Sequence, residues 1–154
     1  MVKESELTSL SKPTPEKERK YRVGNTFMYS GKKYGNMLTY VDARYVQDTL
    51  DEIVGVGNWS NEFFDIKGSL YCRIKISFVR EDGSIGEVSK MDCGSESNIE
   101  KEKGEASDSF KRAAVQFGIG RDLYSSETHK AELSEFNGKW YPPKNWRPPT
   151  KGDK

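Results

Sequence analysis

The sequence predicts an α+β domain whose helices pack on one face of an antiparallel sheet. Three observations carry this. In 70–79, Leu70, Cys72, Ile74, Ile76 and Phe78 alternate with Tyr71, Arg73, Lys75, Ser77 and Val79, the period of a half-buried strand. Two other stretches repeat apolar residues at helical spacing: Val46, Leu50 and Ile53, then Ala106, Phe110, Ala113, Ala114 and Phe117. The links between the strands are too short for parallel crossovers.

All six prolines, Pro13, Pro15, Pro142, Pro143, Pro148 and Pro149, lie outside 16–141, so regular structure is expected in that interval. Residues 1–20 mix Lys, Glu, Ser and Pro with little to bury, and read as a disordered leader. A hairpin follows over 26–41, with a polar loop of Gly31, Lys32, Lys33, Gly35 and Asn36. Asp42 stands at the N-cap of the first helix, and Gly55 and Gly57 end it. Residues 60–66, 70–79 and 85–93 form a three-stranded antiparallel meander, with a turn at Glu81-Asp82-Gly83-Ser84. A C-terminal helix covers 101–117 and stops at Gly118. The helices pack on the sheet, and 21–136 makes one domain. Residues 137–154, NGKWYPPKNWRPPTKGDK, read as a tail in extended or polyproline form.

Leu, Ile, Val and Phe together make about 19% of the 154 residues, close to a disordered composition, but a net charge of +1 argues for a modest core. No apolar run approaches the roughly 18 residues of a membrane helix. No signal-peptide pattern opens the chain. A soluble cytoplasmic protein with no membrane contact is expected. Two cysteines, Cys72 and Cys93, exclude a disulfide framework and a four-cysteine zinc site; one histidine, His129, excludes a multi-histidine metal site. Lys139, Lys144, Arg147, Lys151 and Lys154 against Asp153 leave the tail at +4 and the rest at −3. Any anion-binding surface of the domain must therefore be a local patch.

Gly55-Val56-Gly57 and Gly118-Ile119-Gly120 lack both the phosphate-loop lysine and the strand–glycine–helix order of a dinucleotide site. Each follows a helix and reads as its cap. The run Glu100-Lys101-Glu102-Lys103 reads as a solvated helix face. Cys72 reads as core, and no pattern marks an enzyme. Cations interleaved with aromatics are more informative. Tyr71, Arg73 and Lys75 share the polar side of one strand. Lys32, Lys33 and Tyr34 crowd the hairpin loop, with Tyr40 just beyond; Lys111 and Arg112 sit off the apolar stripe of the last helix. Such a mixture suits single-stranded nucleic acid, because cations hold phosphates and rings stack on bases. An ordinary charged surface is the alternative that composition leaves open.

Residues 103–118, KGEASDSFKRAAVQFG, resemble the signature helix of the Rad-fifty-two family of single-strand annealing proteins, closest to its phage and bacterial branch of Sak-type and DdrA-type members. The segment 38–60, LTYVDARYVQDTLDEIVGVGNWS, resembles the family's strand–helix–Gly–Trp block, with Tyr40, Val46, Leu50, Gly57 and Trp59 at matching places. The resemblance covers roughly 21–125. It implies a ring-forming homo-oligomer that holds single-stranded DNA in an outer groove, its bases left free for a complementary strand, with no ATP or metal cofactor. Lys111 and Arg112 match the family's DNA-gripping basic pair, and Tyr40 matches a groove tyrosine. Lys32 and Lys33 lie in the hairpin that forms the groove's other wall. There are departures. Asp122 stands where an aromatic is common, and Val115 where eukaryotic members carry a basic residue. The link from Gly94 to Lys103 is shorter than in those members, so their second, outer DNA site is not carried over. The tail after 137 stands in place of their long partner-binding C-terminus.

The implied function is ATP-independent annealing of single strands in recombination and repair. Two alternatives stay open: a protein that binds and protects 3′ ends but anneals poorly, and an adaptor whose tail docks a host replication or repair protein; a host single-strand-binding protein or recombinase is the partner expected besides DNA. Exposed aromatics on a disordered tail are unusual. Docking of the Trp140 end on the protein's own surface is expected, with Phe136 as its anchor.

Overall fold

The computed structural model describes residues 1–94, 101–124 and 128–149. Among the described residues eight strands and two α-helices follow one another, besides short 3-10 turns: β1 (Lys20–Tyr29), β2 (Lys32–Tyr40), α1 (Ala43–Ile53), β3 (Trp59–Ile66), β4 (Ser69–Val79), β5 (Ile85–Cys93), α2 (Lys101–Val115), β6 (His129–Glu132), β7 (Ser134–Phe136) and β8 (Lys139–Tyr141). They fall into two compact units: Met1–Glu18 with Val41–Tyr124, and Arg19–Tyr40 with the described part of Ser125–Lys154. Residues 21–136, expected as one domain, are thus shared between the two.

The first unit is the expected helix-on-sheet layer. Strands β3, β4 and β5 form an antiparallel meander. Their alternation does what the sequence period predicts. Cys72, Ile74 and Ile76 are fully buried and meet Phe110, Ala113 and Ala114 of α2, with Val46 and Leu50 of α1 in the same cluster. Asp42 takes the N-cap position in extended conformation, though its side chain makes no capping bond. Trp59 ties helix to sheet, its indole N–H donating to Asp51 Oδ1 at 2.7 Å while its ring lies 6.0 Å from Phe110. At the C-terminus of α2, Arg121 donates to the Val115 and Gln116 carbonyls, and Lys90 Nζ donates to Gln116 O at 3.0 Å. Cations there satisfy carbonyls that the helix leaves open. The side chains of Glu100–Lys103 lie outside the described residues.

The leader is not the disordered segment that its composition suggests. Residues Glu4–Ser11 form a 3-10 helix that buries Leu10 in the core, with Val2 and Leu7 packed against the cluster. Lys3 bridges to Val79, and Thr14 donates from its N–H and hydroxyl to Asp122 at 3.0 and 2.7 Å. Asp122 thus holds the leader at Thr14, in addition to the core contact of Leu10 and the bridge at Lys3. Average polarity hid Leu7 and Leu10, three residues apart on one side of this helix, and Val2 just before it.

The second unit is a sheet in the order β1-β2-β6, plus the β7-β8 hairpin. The expected hairpin is there but longer. The polar stretch 32–36 is strand, and the turn is only Ser30-Gly31, both at positive φ. Exposed strand residues are polar for the same reason that loop residues are, so polarity alone misplaced the loop. Strands β6 to β8 were not expected. One face of the main sheet buries Met37 and Ala131 beside Leu133. On that face the C-terminal segment lays Trp146 edge-on to Tyr21 at 5.5 Å, and Trp140 beside Lys33. The stretch 139–141, expected as unstructured tail, is strand β8 paired with β7. Trp140, expected to dock, lies beside Lys33 but stays 39% exposed, and Phe136, its expected anchor, is 68% exposed.

Candidate nucleic-acid interface

The face of the β1-β2-β6 sheet opposite Trp140 and Trp146 is built by a fault in register. β1 pairs Val23 with Met37 but Thr26 with Gly35, so Gly24 and Asn25 together oppose Asn36. Such a bulge reverses which side chains share a face. Before it, even-numbered Lys20 and Arg22 point outward; after it, odd-numbered Phe27 and Tyr29 do. Gly24 suits the site because a Cβ there would meet Leu38 Cδ1 at 3.0 Å and the Asn36 carbonyl at 3.2 Å. From β2 the same face receives Lys32, Tyr34 and Tyr40, and from β6 it receives Lys130 and Glu132.

The result is rings interleaved with cations. Phe27 and Tyr34 stack at 5.8 Å, and Tyr29 meets Tyr34 edge-on at 6.4 Å. Lys130 Nζ lies 5.4 Å from the centre of the Phe27 ring, and the Arg22 guanidinium lies 5.7 Å over Tyr40. Lys32 is 3.6 Å from Glu132, with both side chains more than half exposed. Arg22, Lys32 and Lys130 against Glu132 leave a positive excess on a strip of π surface. That combination attracts phosphates and stacks unpaired bases.

Sequence reasoning found Lys32 and Tyr40 here and missed Lys20, Arg22, Phe27, Tyr29 and Lys130. The bulge hid the first four, because a strict period of two puts Lys20 and Phe27 on opposite faces. Lys130 comes from a strand far along the chain, so no local spacing could have assigned it. Lys33 does not join them. It alternates to the opposite face, 4.9 Å from the Trp140 ring.

In the first unit the expected cations are more occupied than their positions on the helix suggest. Lys111 Nζ donates to the Val41 carbonyl at 3.1 Å, so it is tied to the backbone as well as lying off the apolar stripe. Arg112 Nε donates to Asp108 at 2.9 Å, and that hydrogen bond holds its guanidinium charged beyond its ordinary range, with Tyr124 and Asp92 also near. The bond orients Arg112 and offsets its charge. Arg73 stacks over Phe64 at 4.6 Å and sits 3.9 Å from Glu62. Lys75 shares that sheet face. Cys72 is core as expected, and burial pushes its thiol up to about 11.

Tyr40 offers a direct test of the face. Tyr40→Ala should cost about 1–3 kcal/mol of single-strand binding, the usual loss of one base–ring stack. Tyr40→Phe should cost much less, because the ring under Arg22 remains. Titration of labelled oligonucleotide measures both. Equal losses of thermal stability with binding intact would make Tyr40 structural instead.

Among the described residues no helix is long and apolar enough to cross a membrane. The chain matches the Rad52/22 family double-strand break repair protein over residues 4–139, so the match begins inside the leader. It is 42% identical over 93 residues to the single-stranded DNA-binding protein DdrA of Deinococcus deserti, covering 57% of this chain and 42% of that protein. The protein of the same name from Deinococcus radiodurans is 41% identical over 93 residues, covering 57% of this chain and 40% of that one. The matched part thus spans about two fifths of the length of these curated relatives.

Proposed function

The chain belongs to the Rad52/22 family of double-strand break repair proteins, and on that premise we propose that it binds single-stranded DNA and anneals complementary strands without ATP. The observation that carries this reading is the face of β1-β2-β6 where Arg22, Lys32 and Lys130 alternate with Phe27, Tyr34 and Tyr40. The names of the two curated relatives support the ligand. Annealing asks for no acid, base or nucleophile. It asks that two strands be concentrated and kept from folding on themselves. The rings hold bases apart from their own neighbours, and the cations offset phosphate repulsion.

Arg112 serves as a second phosphate contact, held in place by Asp108, and Lys111 contributes mainly by fixing the start of α1 through Val41. A protomer of near-zero net charge binds DNA weakly by itself. We place it in a homo-oligomer, a ring of protomers, where each further contact along one strand becomes intramolecular and affinity multiplies.

The test is strand annealing by the full chain, with two complementary oligonucleotides and no nucleotide triphosphate. Pairing should run several-fold faster than for the free strands. Arg112→Ala should slow it and flatten the log–log salt dependence of binding by about 0.7, the value of one phosphate contact on a single strand. Tight single-strand binding with no gain in pairing rate would refute annealing and leave end protection as the function.

A further inference from the structure

The two sides of the β7-β8 hairpin have different surroundings. Leu133, at its base, carries the β2-β6 ladder one residue further, its N–H donating to the Lys33 carbonyl at 2.8 Å. Leu133 is buried, and Trp140 lies beside Lys33 on that side of the sheet. Glu135 stands across from Trp140 in register and shares its side. Strand side chains alternate, so Phe136, Lys139 and Tyr141 turn the other way, to the side that carries Lys32, Tyr34 and Lys130. Asn137 and Gly138, both at positive φ, make the two-residue turn that suits such a hairpin. Phe136 is 68% and Tyr141 46% exposed.

We propose, building on the single-strand reading above, that Phe136, Lys139 and Tyr141 form a second stacking platform, over which a strand runs on past Tyr34 and Glu132. Charge and continuity choose this occupant. Lys139 is on the platform, Lys144 is exposed three residues beyond Tyr141, and Glu135 is on the opposite side. A protein partner would have to bury Lys139, which lies directly across from Phe136, and lysine is depleted from protein interfaces. A single strand uses the same three groups without that cost: the rings take bases and the ammonium takes a phosphate. Parity places the platform on the side of the cation-lined face, so the strand need not cross the sheet to reach it.

The test uses the full chain and labelled oligothymidylate of about 4–16 nucleotides, the range of site sizes for one single-strand-binding fold. Wild-type affinity should go on rising with length beyond the point at which Phe136→Ala/Tyr141→Ala stops gaining. On the longest strand the double variant should bind at least about fivefold more weakly, the least that one lost stack costs. Phe136→Leu/Tyr141→Leu keeps apolar bulk without rings and should behave as the alanine pair does, whereas Tyr141→Phe should match the wild type. Ultraviolet crosslinking of the unmodified chain, which involves no substitution, should leave thymine adducts on Phe136 or Tyr141.

A leucine pair that binds as the wild type does, or one length dependence shared by wild type and alanine pair, overturns the proposal. An alanine pair that loses mass in sedimentation while keeping its affinity assigns the platform to a contact between copies and overturns it too. Tight wild-type binding with adducts confined to Phe27, Tyr34 and Tyr40 removes the platform and leaves the single-strand reading standing. A wild type that binds no oligonucleotide of any length sinks both.

Discussion

Replacing Arg22, Lys32 and Lys130 together with alanine is expected to weaken single-stranded DNA binding roughly 100-fold at 0.1 M salt. Each lost phosphate contact removes about 0.7 from the log–log salt slope on a single strand, so three remove about 2. At a salt concentration one decade below 1 M, that slope amounts to two decades of affinity. All three side chains are exposed on one sheet face. Surface changes of this kind usually shift stability by about 0.5 kcal/mol or less, so the fold should persist. Lys33→Ala is the matched control. It removes the same charge from the neighbouring position on β2, but from the face that holds Trp140. A single-strand titration across several salt concentrations decides the matter. If Lys33→Ala weakens binding as much per charge as the triple variant does, the effect is general electrostatics and the face is not the site.

Much of the first unit was legible because its core is periodic. Cys72, Ile74 and Ile76 alternate, Val46 and Leu50 repeat at helical spacing, and Phe110, Ala113 and Ala114 supply the facing stripe. Burial enforces such patterns, so they can be read back. The second unit was legible only in part. Its core is small, with Met37, Ala131 and Leu133 drawn from segments far apart, and no short window contains the pattern. Its functional face depends on a bulge at Gly24-Asn25 that inverts the side-chain parity of one strand. A period-two reading cannot see an inversion whose only local trace is one glycine. The resemblance located the basic pair on α2 and the tyrosine of β2, but it could not say that Lys111 is bonded to a carbonyl or that Lys33 faces away. Those facts depend on side-chain direction, which spacing fixes only after the register is known.

The leader gives the clearest case in which composition misled, and its test is correspondingly large. Leu10→Ala should destabilise the first unit by about 2–5 kcal/mol, the cost of emptying a leucine-sized site in a packed core. Leu10 is 1% exposed and shares its cluster with Val46, Leu50, Ile74 and Phe110. The loss is a large share of the roughly 5–15 kcal/mol that holds a typical domain together. Leu7 is half-buried at the cluster's edge, so Leu7→Ala should cost less. Thr14→Val should also destabilise, since it removes the hydroxyl that Asp122 accepts at 2.7 Å while keeping the side chain's volume. Urea unfolding followed by Trp59 fluorescence, in a background with Trp140→Phe and Trp146→Phe, reads the first unit specifically. Trp59 lies against Phe110 in that unit, and the other two tryptophans belong to the second. An unfolding free energy for Leu10→Ala within about 0.5 kcal/mol of the parent is what an exposed position would give, and it would return residues 4–11 to the status of a dispensable leader.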